Sequence, residues 1–381
     1  MSSALEDLVR TRGVVVCCGS GGVGKTTVSA TFALEAARAG RRSCVVTVDP
    51  ARRLADALGV QSLPNTPTEV HGDWPGHLHA LMLDSKGTFD DLVERYARTP
   101  EQAESILTNR LYQNLAGALS GTQEYMAMEK LYELVHSKEF DVVVVDTPPT
   151  RNALDLLDAP RRLTRFLENR IFRALMVPTR VGLRAVSVAT QALLKTIARV
   201  AGAEIVQDAV AFFQAFEGME EGFRSRASAV HELLIDPATA YVLVTSARPD
   251  AVTEASFFAD KLAERDVSVA ALVVNRIAPA FGHGAPAPAS VSGAGGDDGS
   301  GRERGRAAAE AEGPLVRDAL ESMQALETNL AELNAVAARE ASAYGGLAAK
   351  VAPAPVGRIP LFGDDVHELA GLTRAADSLF G

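Results

Sequence analysis

The sequence predicts an α/β protein, a doubly wound and mostly parallel sheet with an inserted α-helical subdomain. Two patterns predict that class. Runs rich in Val and Leu at 14–18, 43–48, 78–83, 142–145, 241–245, 270–274 and 355–359 mostly lack polar alternation, as strands covered on both faces do. Segments of helical periodicity stand between them, and alternating β and α segments imply a parallel sheet flanked by helices. Longer helical stretches, about 85–138 and 160–235, interrupt the alternation and predict the subdomain.

The first run ends at Cys18 and is followed by Gly19, Ser20, Gly21, Gly22, Val23, Gly24, Lys25, Thr26 and Thr27, which open a helical pattern reaching Arg38. This is Gly-x-x-x-x-Gly-Lys-[Ser/Thr] in its required strand–loop–helix setting. Glycines let the backbone curl so that successive N–H groups face a polyphosphate, and the helix start adds partial positive charge. Lys25 is expected to reach the β and γ phosphates, and the Thr26 hydroxyl to ligate Mg²⁺. The segment predicts a P-loop NTPase with a nucleoside triphosphate as ligand.

The second run delivers Val48-Asp49-Pro50-Ala51-Arg52-Arg53. Asp followed by Pro is a good helix start in its own right. Beside a phosphate loop, the Asp49 carboxylate can also orient an attacking water and take its proton. Within 85–138, Met126, Met128, Leu131 and Leu134 suit helical-core packing more simply than a groove. Four valines then lead to Asp146-Thr147-Pro148-Pro149-Thr150. That strand is expected to bring Asp146 to the sheet edge where the loop opens, to hold Mg²⁺ directly or through water.

Residues 151–200 carry ten Arg or Lys against three acids, with Leu163, Phe166, Leu167, Phe172, Leu175 and Met176 at helical spacing. A core-facing helix with a solvated basic face is preferred there over a membrane-binding surface. Residues 281–313, dominated by Gly, Ala, Pro, Ser and charges, are expected to form a disordered insert. A helix over 315–344, a strand near 356–359 and a helix over 364–379 complete one domain spanning 1–381. No internal repeat argues for a fused pair of such domains.

At 381 residues and 47% apolar, the chain can bury a sizeable core. A net charge of -10 argues against a general nucleic-acid binder. Glu6 and Asp7 near the start do not suit a secretory signal, and no apolar run is long enough to span a bilayer. A cytoplasmic protein that is not transmembrane is expected. Cys17, Cys18 and Cys44 fall in apolar runs as buried thiols, with Cys17 and Cys18 facing opposite sides of a strand. His77 and His79 lack a third ligand for a metal and are taken as structural.

On the loop at 19–27, the segment from Val48 to Ala51 and the segment from Asp146 to Thr150, the chain resembles the ArsA family of P-loop ATPases, over nearly its whole length apart from 281–313. Within that family it resembles one subunit of the paired actinobacterial ATPases. The second and third segments match the family's switch I and switch II, the latter usually Asp-Thr-Ala-Pro-Thr. Gly121-Thr122-Gln123-Glu124-Tyr125 looks like its Pro-Gly-x-x-Glu segment. The resemblance implies that Asp49 positions the hydrolytic water, that Asn275 contacts adenine, and that Pro360, Leu361 and Phe362 flank the base. Three departures stand out. Ser20 replaces a lysine that in the family reaches across a dimer, which implies a heterodimer with a lysine-bearing paralogue, a homodimer being the alternative. Arg52 and Arg53 replace smaller polar residues or His, with ordinary surface placement the simpler account. The cysteines do not form the converging thiolate set that arsenite requires, nor is there a Zn-binding Cys-x-x-Cys.

The expected function is a Mg²⁺-dependent, ATP-hydrolysing switch. It closes a dimer and handles a hydrophobic or membrane-associated client, in the cytoplasm or peripherally at a membrane. A non-catalytic nucleotide-binding regulatory subunit is the alternative that Ser20 supports. A DNA-walking partition ATPase is disfavoured by the acidic residues Asp364, Asp365, Glu368 and Asp377 near the end of the chain. A GTPase is disfavoured because Asn275-Arg276-Ile277-Ala278 lacks the aspartate of a guanine reader.

Overall fold

The structure, a computed structural model, describes residues 4–49, 51–115, 122–148, 157–159, 161, 164–165, 208, 211–212, 214–281 and 314–381. Pro50, Gly121, Pro149, Thr150, most of the basic stretch after 151 and the insert at 282–313 lie outside them.

Eight strands form one sheet: β1 (Val14–Cys18), β2 (Arg42–Thr47), β3 (Thr68–Val70), β4 (His77–Met82), β5 (Val142–Asp146), β6 (Thr239–Ser246), β7 (Val269–Ile277) and β8 (Val356–Pro360). Their order is β3-β4-β2-β5-β1-β6-β7-β8, and every pairing is parallel except that of β3 with β4. The seven parallel strands overlap the seven apolar runs of the sequence. The eighth, β3, was not predicted; at three residues with only Val70 buried, it carries too little periodicity to be read.

Valine-rich central strands are buried along their full length because both faces are covered. On one face, Val15, Cys17, Val45, Val144, Val242 and Val273 pack with α1 (Ala4–Thr11), α2 (Lys25–Arg38), α3 (Arg53–Leu58) and a C-terminal helix, Glu368–Phe380. On the other, Val16, Cys18, Cys44, Val46 and Val145 meet a helical layer formed by α4 (Ser85–Tyr96), α5 (Pro100–Leu107), α6 (Arg110–Leu115), α7 (Thr122–Ser137) and α8 (Glu220–Ile235). Cys17 and Cys18 thus point to opposite faces, as their adjacency predicts. Met126, Met128, Leu131 and Leu134 are buried in this second layer, the core role expected of them.

Beyond β6 and β7, α9 (Pro249–Ala263) and α10 (Pro314–Lys350) cover Leu243, Leu272 and Val274. Among the described side chains of α10, those that enter that core belong to its C-terminal part, through Tyr344 and Leu347. Its earlier Met323, Leu326, Leu330 and Leu333 are exposed. The last helix of the sequence, Glu368–Phe380, is α11. Among the described residues no helix is long and apolar enough to cross a membrane.

Strand register places the site. Cys17 of β1 and Thr47 of β2 both stand opposite Asp146 of β5, and Ser246 of β6 stands opposite Asn275 of β7. Five strands therefore release their chains at one edge, where a doubly wound sheet binds its ligands.

Candidate functional site

The loop between β1 and α2 is shaped by two close approaches. A Cβ on Gly19 would fall 2.0 Å from the Val244 carbonyl oxygen, and one on Gly24 would fall 2.0 Å from Asn275 Nδ2. Gly24 also sits in the left-handed region, at φ 92°, as the residue before α2. Only glycine satisfies both demands there. The loop is thereby seated against β6 on one side and β7 on the other.

Gly22, Gly24, Lys25, Thr26, Thr27, Asp49, Arg53, Thr147, Asn275, Pro360, Leu361 and Phe362 line a cavity of about 340 Å³. Ser20, Gly21 and Val23 instead line an adjoining cavity of about 260 Å³, with Gly22 and Arg276 shared between the two. Gly19 lies beneath the loop against β6. The predicted phosphate end and the predicted base end thus open into one space. Asp56, Asp364, Asp365 and His367 also line it, and sequence reasoning did not single them out for that.

Lys25 is buried, and its Nζ donates to the Ser20 carbonyl oxygen at 2.9 Å. Burial lowers its pKa, opposed by the nearby Asp146 and Asp49 charges. Asp146 is 1% exposed. Its Oδ2 accepts from Thr26 Oγ1 at 2.7 Å and from Thr47 Oγ1 at 2.8 Å. Its Oδ1 is buried with no partner among the described residues. Burial pushes this carboxyl up from 3.8 to about 6, against the pull of both hydroxyls and of Lys25. An orphaned carboxylate oxygen beside a hydroxyl is a hard oxygen donor set that fits Mg²⁺.

Thr47 was missed by sequence reasoning. It is fully buried, and besides donating to Asp146 it accepts the Asp49 N–H at 3.2 Å. One hydroxyl therefore ties the two acidic segments together, a link that only the pairing of β2 with β5 reveals. The Asp49 carboxylate accepts the Ala51 N–H at 2.9 Å and faces the Arg53 guanidinium at 3.4 Å. Arg53 is exposed, as surface placement requires, yet it is also paired into the cavity wall, which the sequence did not indicate. Arg52 is exposed.

Asn275 is buried, with Nδ2 donating to the Val23 carbonyl oxygen at 2.9 Å and Oδ1 accepting the Arg276 N–H. Its amide is spent on bracing the loop and its own chain while it lines the cavity. Leu361 is exposed and Phe362 half-buried, with the Arg374 guanidinium over the Phe362 ring. The three thiols are buried, and burial pushes Cys17 and Cys44 up to about 12 and Cys18 well above its ordinary value. With Cys17 on one face of the sheet and Cys18 and Cys44 on the other, the three protonated thiols cannot converge on a soft metal ion.

The chain is similar to the ATPase GET3 of Malassezia globosa, at 34% identity over 153 residues, 40% of this chain and 44% of the relative. It is similar to the ATPase asna-1 of Caenorhabditis elegans, at 33% over 154 residues, 38% and 44% of the two chains. An ATPase ASNA1 homolog of Cryptosporidium parvum aligns at 28% over 260 residues, 68% of this chain and 63% of the relative. The chain thus spans under half the length of the first two. A family model described as anion-transporting ATPase matches residues 12–283, from just before β1 to beyond β7. That span holds the phosphate loop, both acidic strand ends and Asn275, and by it the chain belongs to the anion-transporting ATPase family, the ArsA family that its motifs resemble.

Proposed function

We propose that this chain binds ATP with Mg²⁺ in the cavity around Lys25 and hydrolyses it. The observation that carries this is the buried Asp146 carboxylate, with one oxygen held by two hydroxyls and the other left without a partner beside the phosphate loop. Thr26 and Asp146 would hold the metal, which when bound supplies positive charge to the phosphoryl oxygens. Lys25 would exchange the Ser20 carbonyl for phosphate oxygen. Asp49 would orient the attacking water and accept its proton, on a segment positioned by Thr47. Asn275, Pro360, Leu361 and Phe362 would form the base-side wall.

Loss of the γ-phosphate would release the Asp49 and Asp146 segments and reopen a dimer. A hydrophobic or membrane-associated client, in the cytoplasm or peripherally at a membrane, follows from the family resemblance. Ser20 leaves the loop without a second cation, which favours a heterodimer with a lysine-bearing paralogue. A non-catalytic regulatory subunit is the second reading, favoured by the same Ser20.

Calorimetric titration of the purified chain with ATP, with and without Mg²⁺, tests the first step. Metal-dependent binding is expected, weakened by about tenfold or more in Lys25→Ala through loss of a charge-assisted contact. Binding indifferent to both metal and Lys25 would refute the assignment.

A further inference from the structure

We propose that Arg53 is the group by which this chain tells a nucleoside triphosphate from a diphosphate, an inference that rests on the nucleotide reading of the cavity. Lys25 is the cation of the phosphate loop itself, and its ammonium is already engaged by the Ser20 carbonyl. Even with Mg²⁺ bound, one ammonium leaves part of the charge of a bound triphosphate unmatched. Arg53 brings a guanidinium to the wall of the same cavity, on the first residue of α3.

Its present partner is one that phosphate would displace. Among the described residues, its side chain is paired with Asp49 Oδ2 at 3.4 Å, with Arg53 63% exposed and Asp49 16% exposed. With its guanidinium exposed to solvent, this single 3.4 Å contact is screened and readily exchanged. A terminal phosphoryl group offers several anionic oxygens to a planar fork that suits bidentate contact, against a single distant carboxylate oxygen. A diphosphate offers no group at that end, so the guanidinium stays on Asp49.

The exchange carries a second effect. While Arg53 holds Asp49, the carboxylate is engaged by a cation and by the Ala51 N–H. When the guanidinium moves to the third phosphate, Asp49 is freed to accept a proton from water. Arrival of the correct ligand thus recruits a cation and releases a base in one movement of one side chain. Arg276 is the other arginine on the cavity wall, at a left-handed position where β7 ends, and it serves as the competing candidate.

The test is calorimetric titration of the full chain with Mg²⁺ and either ATPγS or ADP. The wild type is expected to prefer ATPγS by about tenfold, the worth of one charge-assisted contact. Arg53→Ala should bind ADP as the wild type does and lose that preference, while its melting temperature stays unchanged because the side chain is exposed. Asp49→Asn, which removes the competitor, should keep or enlarge the preference. Arg53→Ala with the preference intact, or a preference lost in Arg276→Ala instead, overturns the proposal and leaves the nucleotide reading standing. Loss of the preference in Asp49→Asn also overturns it, since Arg53 would then act through the shape of its segment. A wild type that binds neither nucleotide, or a Lys25→Ala variant that binds both normally, overturns the nucleotide reading and this inference with it.

Discussion

Asp146 sets a conflict between stability and chemistry at a single carboxyl. Burial lifts it to about 6 from an ordinary 3.8. An acid whose pKa rises on folding stabilises the fold while it is protonated, and that contribution is lost as pH climbs through the folded value. Here it is complete below about pH 4 and gone above about pH 6, a difference of about 3 kcal/mol at most. Asp146→Asn is therefore expected to stabilise the ligand-free chain at about pH 7.5 by about 1–3 kcal/mol and to flatten the stability profile between pH 4 and 6. Urea unfolding across that range measures it, and a variant no more stable than the parent at neutral pH contradicts the burial penalty. The same substitution should abolish metal-dependent nucleotide binding. That Asp146, Lys25 and Thr26 would meet at one sheet edge was legible in the sequence, from the loop's spacing and from the valine run that ends in Asp146. Thr47 and the Arg53–Asp49 pair were not, because each depends on a contact that the chain's fold creates rather than on a motif.

At the scale of elements, α7 and α8 are tied by a buried charge. Glu129 is 1% exposed, and its Oε1 accepts from Arg226 Nε at 2.7 Å, while the Arg226 guanidinium lies 3.8 Å from the Tyr132 ring centroid. Removing one member of such a pair strands the other. Arg226→Ala should cost about 3–5 kcal/mol by urea unfolding, and replacing Glu129 and Arg226 together with apolar residues of similar size should recover most of it. A cost under about 1 kcal/mol would mean that water, or the Arg95 guanidinium 4.0 Å from the same oxygen, takes the place of Arg226. Neither residue announces this pairing in sequence, since they stand 97 positions apart. The strands were easier to see. Both faces of β1 and β5 are covered, so nearly every side chain is apolar and the run is unmistakable. β3 escaped notice because an edge strand of three residues is specified by its neighbour rather than by its own composition.

For the whole molecule, Ser20 makes turnover the informative measurement. On the proposed heterodimer, the isolated chain should hydrolyse ATP slowly, and addition of a lysine-bearing paralogue should raise the rate by about 10³-fold or more, the scale of a cation supplied in trans. Steady-state phosphate release by each chain and by the mixture decides this. A rate unaffected by mutating the paralogue's lysine refutes donation in trans. The bracing of Gly24 by Asn275 has a wider consequence. It welds the phosphate loop to β7, whose neighbour β8 leads into Pro360, Leu361 and Phe362, so one flank of the cavity is a rigid part of the sheet. The opposite flank, Asp49 and Arg53, hangs on a short helix and one shared hydroxyl. On the nucleotide reading, recognition would thereby be divided: a fixed gauge for the base and a hinged one for the length of the phosphate chain, each open to retuning without disturbing the other.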